Sequence, residues 1–408
     1  MIHRAYKYRI YPSEEQAVEL NKVFGCVRFL WNQLVANFHL YPNHDPNLSE
    51  KTLKDDERYP FLKETISCAL QQKRNDFEEF KRQYFSKSRK KKLGKPKFKS
   101  KHAHFDSFRI PGQSLGYEKC INWDKGEIKI PKFRPIKLVV DRKFTGKLCS
   151  ITISRNPAGQ FFVSVLVEED DPQHLEKTGR FIGIDLGLTH LAIFSDGTKI
   201  DNPRWFRENQ AKLARAQRHL SRKTKGSNRR ERQRVKVAKI HLKTANQRKW
   251  FYHDLSNKLL NEFDVICLES LNVAGMKKSS LGKSISDASW STLISMLKHK
   301  SEWYGKKLHQ IYRWFPSSKS CSECGSIQEK LKLDVRHWTC TDCGTKHDRD
   351  TNAARNILNK GLTDLNLSLA ECVNYTRGEK IRPSLQLAEK AHLVEACTET
   401  VNDLYCFG

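Results

Sequence analysis

The sequence predicts a mixed α/β protein built from more than one folded unit, with a cysteine ribbon suited to zinc near its carboxyl end. Three observations predict it. Between residues 180 and 360, short apolar strand-like runs alternate with helical stretches, the order of a mixed sheet covered by helices. Two CxxC pairs, Cys321/Cys324 and Cys340/Cys343, stand fifteen residues apart. A chain of 408 residues also exceeds what one ordinary core holds.

Taken in order, residues 2–11 alternate as a strand does, and Tyr11-Pro12-Ser13 opens a helix with Ser13 as its N-cap. Apolar positions from Val18 to Leu34 follow at helical spacing. A loop rich in Pro, Asn and Asp covers 41–60, and a second helix is expected from about Lys63 to Phe85. Runs of β character cover 127–133, 136–141, 148–155 and 161–168. The last two are joined by Asn156-Pro157-Ala158-Gly159, a hairpin signal. The polar stretch 169–178 marks a boundary. Beyond it, 181–186 and 191–194 read as a buried strand pair, turning past Ser195-Asp196-Gly197. Two helices broken near Gly226-Ser227 are expected across 204–249, and a strand over 265–268 ends in Glu269. A helix begins near Asp287, a strand lies around 308–314, and a last helix begins near Asp350. After Gly361 the chain changes character, with seven acidic residues against four basic; a small helical appendage or a poorly ordered tail is expected, with no role assigned.

The formal net charge is +28 and the pI near 9.6. Such an excess repels itself unless a polyanion neutralises it, which points to nucleic acid. A membrane partner is not expected, because no run of 18 apolar residues exists and the amino terminus lacks the apolar core of a signal peptide. The expected compartment is the cytoplasm. Eight of the twelve cysteines (Cys26, Cys68, Cys120, Cys149, Cys267, Cys372, Cys397, Cys406) are scattered in mostly apolar contexts and read as small core residues.

Three acids carry the candidate chemistry. Asp185 ends an apolar strand within Gly183-Ile184-Asp185-Leu186-Gly187, where the glycines admit a close neighbour. By itself this pattern also suits the phosphate loops of sugar kinases and actin-like ATPases. Glu269 repeats it at the end of Val-Ile-Cys-Leu, residues 265–268. An acid at the mouth of a buried strand is costly unless something positive balances it, and two such acids side by side call for a divalent cation. The third acid lies in the run His347-Asp348-Arg349-Asp350-Thr351-Asn352, before a helix with a small Ala353-Ala354 face. Spacing alone does not choose between Asp348 and Asp350 for the metal role, and N-capping is the plainer role for Asp350. Three carboxylates suit Mg²⁺ or Mn²⁺ rather than zinc. In phosphodiester hydrolysis a metal pair about 4 Å apart activates water and stabilises the leaving oxygen.

Cys321, Cys324, Cys340 and Cys343 have zinc-ribbon spacing, and Gly325 and Gly344 follow each second cysteine, allowing a tight turn whose N–H groups face the thiolates. Four thiolates leave no open position, so this zinc is expected to be structural. His337 and His347 are spare. Two basic stretches complete the pattern. Residues 81–101 hold eleven Lys or Arg and no acid, including Lys90, Lys91, Lys92 and Lys97, among Tyr84, Phe85 and Phe98; this mixture suits phosphate contact with base stacking. Residues 204–249 hold seventeen basic residues against Glu208 and Glu231, with Arg218, Arg222, Arg229 and Arg230 expected to face a nucleic-acid backbone. The helix carrying Gln71 and Arg74 offers side chains able to read base edges, or an ordinary polar face.

These residues, in this order, resemble TnpB, the transposon-encoded RNA-guided nuclease related to type V CRISPR effectors. The resemblance spans about residues 1–360 and is carried by Tyr8 to Pro12, Gly183 to Gly187, Leu268-Glu269 and the run from Ser284 to Trp290. Most specific is the joined run from Phe315 through the two CxxCG motifs to His347-Asp-Arg-Asp-Thr-Asn-Ala-Ala. The resemblance implies a wedge β-barrel (1–12 and 102–170) interrupted by a helical recognition lobe (13–101). It then implies an RNase H-like RuvC nuclease domain (179–315) with a basic helical insertion (203–262), a zinc ribbon (316–346) and a last helix (347–360), leaving 361–408 as a tail. It implies Asp185, Glu269 and Asp350 as the catalytic acids, a non-coding guide RNA, and cleavage of double-stranded DNA beside a short target-adjacent motif. Guide pairing would choose the target while the protein holds the heteroduplex. A single copy is the expected unit. Two other readings are a guided repressor that does not cut and a guide-independent transposase or resolvase.

Overall fold

The computed structural model describes residues 1–86, 93–103, 105–116, 120–329, 331–332 and 334–367. The described chain divides into two compact units, one of Met1–Asp171 with Arg234–Ala238 and the other of Pro172–Gln233 with residues 239–367.

The first unit opens with β1 (Ile2–Tyr11) and α1 (Glu14–His39), followed by α2 (Glu50–Asp55), α3 (Phe61–Glu64) and α4 (Ser67–Phe85). It continues with β2 (Asp106–Pro111), β3 (Ile121–Asn122), β4 (Glu127–Ile128), β5 (Ile136–Leu138), β6 (Lys147–Arg155) and β7 (Phe161–Glu169). Ser13 caps α1 through a capping box with Gln16, as its sequence leads one to expect. The strands form one antiparallel sheet in the order β2-β6-β7-β1-β5-β4-β3. Leu20, Phe24 and Leu30 of α1 share a single hydrophobic cluster with Tyr8, Phe108, Ile151 and Val163 of the sheet, so helices and strands have one core. The strand expected over 127–133 ends at Ile128. Pro131 cannot donate to a ladder, and Lys132 takes a left-handed φ of 68° as Phe133 N–H bonds back to the Ile130 carbonyl. The unforeseen strand β2 is held by Asp106, whose buried carboxylate pairs with Arg28 of α1 and Arg155 of β6, both at 2.7 Å.

The second unit comprises β8 (Phe181–Asp185), β9 (His190–Phe194), β10 (Lys199–Asp201), α5 (Trp205–Ser221), α6 (Asn228–Glu262) and β11 (Val265–Glu269). It goes on through α7 (Val273–Met276), α8 (Gly282–Ala288), α9 (Trp290–Tyr304), β12 (Lys307–Ile311), β13 (His337–Thr339), β14 (Lys346–Asp348) and α10 (Arg349–Asp364). Its main sheet runs β10-β9-β8-β11-β12, with β8, β11 and β12 parallel and β9 and β10 antiparallel. Side chains alternate across it. Ile182, Ile184, Ile266 and Leu268 meet Phe251 and Leu255 of α6 and Leu293 of α9 on one face. Phe181, Val265 and Cys267 meet Ile357, Leu358 and Leu362 of α10 on the other. The helix expected from about Asp287 is α9, preceded by the unexpected α8 and separated from it at Ser289, which takes a φ of 48°. Helix α10 runs to Asp364, four residues past its expected end. Among the described residues, no helix is long and apolar enough to cross a membrane. Cys26, Cys120 and Cys267 are buried and Cys68 and Cys149 partly so, while Cys372, Cys397, Cys406 and the rest of the tail from 368 lie outside the described residues.

Candidate catalytic centre and metal site

Strand parity places two of the three acids. Asp185 has the parity of Phe181 and Gly183, and Glu269 that of Val265 and Cys267, so both belong to the face covered by α10. The parallel register Leu268↔Ile184 sets Glu269 beside Asp185 at the carboxyl ends of neighbouring strands. The third acid comes with α10, and glycine lets that helix lie directly on the sheet. A Cβ on Gly183 would sit 2.1 Å from the Ala354 carbonyl oxygen and 2.7 Å from the Leu358 nitrogen. One at Gly361 would sit 2.3 Å from the Cys267 sulfur. The first glycine of the Gly183–Gly187 motif therefore admits a helix backbone, and Gly187 admits the His190 carbonyl of the β8–β9 turn. Neither is required by a phosphate. With α10 seated this way, Asp350 in its first turn reaches the strand ends.

The convergence appears in the electrostatics. Burial, then the neighbouring charges of Glu269 and Asp350, push the Asp185 carboxyl up to about 7. Asp348 behaves oppositely. Against the effect of its burial, the Lys199 ammonium 2.8 Å away and the Thr351 N–H hold its carboxyl down at about 2. Asp348 is the N-cap of α10 and is committed to that helix and to β10. The structure thus separates two acids that spacing could not.

Glu269 accepts a hydrogen bond from the buried Ser317 hydroxyl at 2.5 Å. Ser317 is itself held, because its carbonyl accepts from Asn356 of α10 at 2.8 Å. Asn352, one turn earlier, donates to the Ser320 carbonyl and accepts from the Ser322 N–H. Asp350 has Arg336 3.3 Å away. No reading of the sequence singled out Ser317, Asn352 or Asn356; their signal was only their place in the run around the cysteines.

The four cysteine sulfurs lie within 4.8 Å of one another, the only such group of metal-type donors among the described residues. This is the donor set of a structural metal. The three carboxylates do not form so tight a group. Gly325 and Gly344 take φ of 78° and 72°, and their N–H groups bond to the Cys321 and Cys340 carbonyls to form the two expected turns. His347, buried with its ring tilted against Trp338, places Nε2 3.1 Å from the Cys321 sulfur, while His337 is exposed. His347 thus supports a thiolate without replacing one.

Helices α5 and α6 form the expected basic hairpin, and every buried residue of α6 lies from Thr244 onward. Arg218, Arg222 and Arg229 are exposed. Arg230 is half-buried and donates to the Leu220 and Lys223 carbonyls, closing the hairpin. No side chain near Arg204 caps α5. Instead Asp287, eighty residues on, accepts from the Phe206 and Arg207 N–H groups and pairs with Arg248 of α6 at 3.0 Å. In the first unit, Arg74 is half-buried beside Glu50, Gln71 and Lys97 are exposed, and Lys90, Lys91 and Lys92 lie outside the described residues.

A family model described as a "Probable transposase" (OrfB_IS605) matches residues 164–280, and one described as "Cas12f1-like, TNB domain" matches 290–357. A model described as a helix-turn-helix domain matches 1–41, where the structure has β1 and α1. A Streptomyces pristinaespiralis protein named "Putative RNA-guided DNA endonuclease" is 39% identical over 376 residues, covering 88% of this chain and 90% of its own. The chain belongs to the TnpB family. A second relative, the Escherichia coli K12 protein named "Putative RNA-guided DNA endonuclease InsQ", is 28% identical over 387 residues, covering 88% of this TnpB-family chain and 92% of its own. The fold is shared with the protein in a solved structure titled "Cryo-EM structure of the Cas12f1-sgRNA-target DNA complex". That match has a TM-score of 0.51 at 15% identity and covers 85% of this chain and 83% of the other. The chain shares that mixed α/β fold, and its four-cysteine cluster fits a zinc ribbon.

Proposed function

We propose that this chain is an RNA-guided endonuclease of double-stranded DNA from a transposable element, with Asp185, Glu269 and Asp350 holding two Mg²⁺ or Mn²⁺ ions. The observation that carries the reading is the meeting of three carboxylates from β8, β11 and α10, close enough that two of them raise the proton affinity of the third. A repressor without cleavage has no use for that arrangement. The donors are hard oxygens, and their mutual repulsion is what divalent cations relieve. When bound, the ions supply an activated water and a stabilised leaving oxygen. Asp185, which feels the charge of both Glu269 and Asp350, would hold the ions together with them. The cysteine cluster would hold zinc. A tetrahedron with Zn–S bonds of about 2.3 Å has edges of roughly 3.8 Å, and the Cys321–Cys343 and Cys324–Cys340 sulfurs are 3.7 and 3.6 Å apart.

Ser317 is the positioning residue of this centre. Its hydroxyl fixes one Glu269 oxygen and leaves the other for an ion. Ser317→Ala is expected to weaken divalent-ion affinity by about 10- to 100-fold, read by Mn²⁺ titration with the thermal midpoint little changed. Unaltered Mn²⁺ affinity would remove Ser317 from the site.

The function itself is tested by co-expressing the chain with its flanking locus. RNA that co-purifies is sequenced, and target libraries with randomised flanks are cut in Mg²⁺. Guide RNA from the locus, cleavage at matched targets and one zinc per chain are expected. A chain that purifies without RNA overturns the guided reading.

A further inference from the structure

Strand β12 leaves the sheet through Tyr312-Arg313-Trp314, three consecutive exposed residues between two buried anchors. Before them, Ile311 is fully buried and lies opposite Glu269 in the parallel register. After them, Ser317 is buried with its hydroxyl on the Glu269 carboxylate. The loop between is turned back by the Phe315 N–H on the Tyr312 carbonyl at 3.2 Å, and Phe315 packs inward against the cluster around Ile357. The exposed triplet is thus pinned at both ends beside one of the proposed metal-binding acids. Tyr312 is 66% exposed and Trp314 69%, although a buried hydrophobic cluster lies one residue away. The Arg313 guanidinium lies over the Trp314 ring, 4.6 Å from its centroid.

We propose that Tyr312, Arg313 and Trp314 form a stacking site for unpaired bases of the DNA strand delivered to the carboxylate centre. The inference rests on the nuclease reading above and names how that site grips its substrate. Aromatic faces accept any base, and a guanidinium beside them serves both the ring and the phosphate, which matches a substrate bound without regard to sequence. A single strand fits where a duplex does not, because in a duplex each base's faces are already covered by its stacked neighbours. The net charge of +28 favours a polyanionic occupant over an apolar peptide.

The test uses the full chain purified with its RNA and carrying Asp185→Asn, so that bound DNA stays whole. Binding of a short fluorescent thymidine oligonucleotide is compared with that of oligonucleotides made abasic at successive positions. The parent should lose about 5- to 150-fold in affinity when the stacked base is removed. The double variant Tyr312→Ala/Trp314→Ala should bind the intact strand that much more weakly and no longer notice the missing base. Trp314→Phe should retain most of the affinity, and Trp314→Leu, which keeps bulk but has no π face, should not. A 5-iododeoxyuridine strand should crosslink to Tyr312 or Trp314. The proposal is overturned if the double variant binds intact and abasic strands as the parent does, or if crosslinks fall only elsewhere. Preferential capture of duplex over single strand by the triplet overturns it too. A chain with Asp185 restored that distinguishes intact from abasic strands yet cuts nothing would lose the nuclease reading and keep the stacking site.

Discussion

Asp185→Ala should abolish DNA cleavage, a fall of at least about a thousandfold, while guide-directed binding to the target persists. The two outcomes separate because Asp185 sits at the end of a core strand with α10 over it, among acids. Stability gives a second readout that does not depend on activity. In metal-free protein, Asp185 is a buried carboxylate facing two others, so the isosteric Asp185→Asn should raise the thermal midpoint. Added Mg²⁺ should stabilise the parent by ligand linkage and the variant much less. Retained cutting would remove Asp185 from the mechanism. An equal Mg²⁺ response in both proteins would remove it from the ion site.

Much of this centre was legible because local chemistry wrote it. An apolar strand that ends in an acid states its own boundary, and Asp185 and Glu269 end β8 and β11 as their runs suggest. The CxxCG turns need a positive φ, and glycine supplies it at Gly325 and Gly344. Ser13 with Gln16 three positions on carries a capping box in four residues. Each of these depends on neighbours within about one turn of chain.

What stayed illegible depends on residues far apart. Asp348 and Asp350 look alike in sequence, and only the approach of Lys199 on β10 and the N-cap geometry of α10 commit Asp348 to the fold. The β10 strand is itself too short to announce itself. Asp287 caps a helix about eighty residues earlier, and no local pattern carries that information. Arg230 reads as one more surface charge in a basic run until the carbonyls of α5 are placed beside it. Long-range partners decide which charges are structural and which remain for a ligand.

Gly183→Val should be the most damaging change outside the acids and cysteines. Its Cβ would need the space of the Ala354 carbonyl oxygen and the Leu358 nitrogen, and both belong to helix backbone, which cannot rotate aside as a side chain can. The helix must lift. It carries Asp350, and through Asn352 and Asn356 it holds the chain entering the cysteine ribbon and the Ser317 that steadies Glu269. A destabilisation of about 3 kcal/mol is expected, lowering the midpoint of this unit by roughly 6–12 °C, and cleavage should fall further than stability alone explains. Gly94→Ala, where nothing lies within 4 Å of the added carbon, is the control and should be close to neutral. Gly361→Ala should be intermediate, since its obstacle is chiefly the Cys267 sulfur, and Cys267→Ala in the same chain should recover part of the loss. No neighbouring substitution can rescue Gly183→Val in that way, because its obstacle is main chain. A normal midpoint and normal cleavage in Gly183→Val would mean that α10 does not lie against β8, and the three acids would then have no common face.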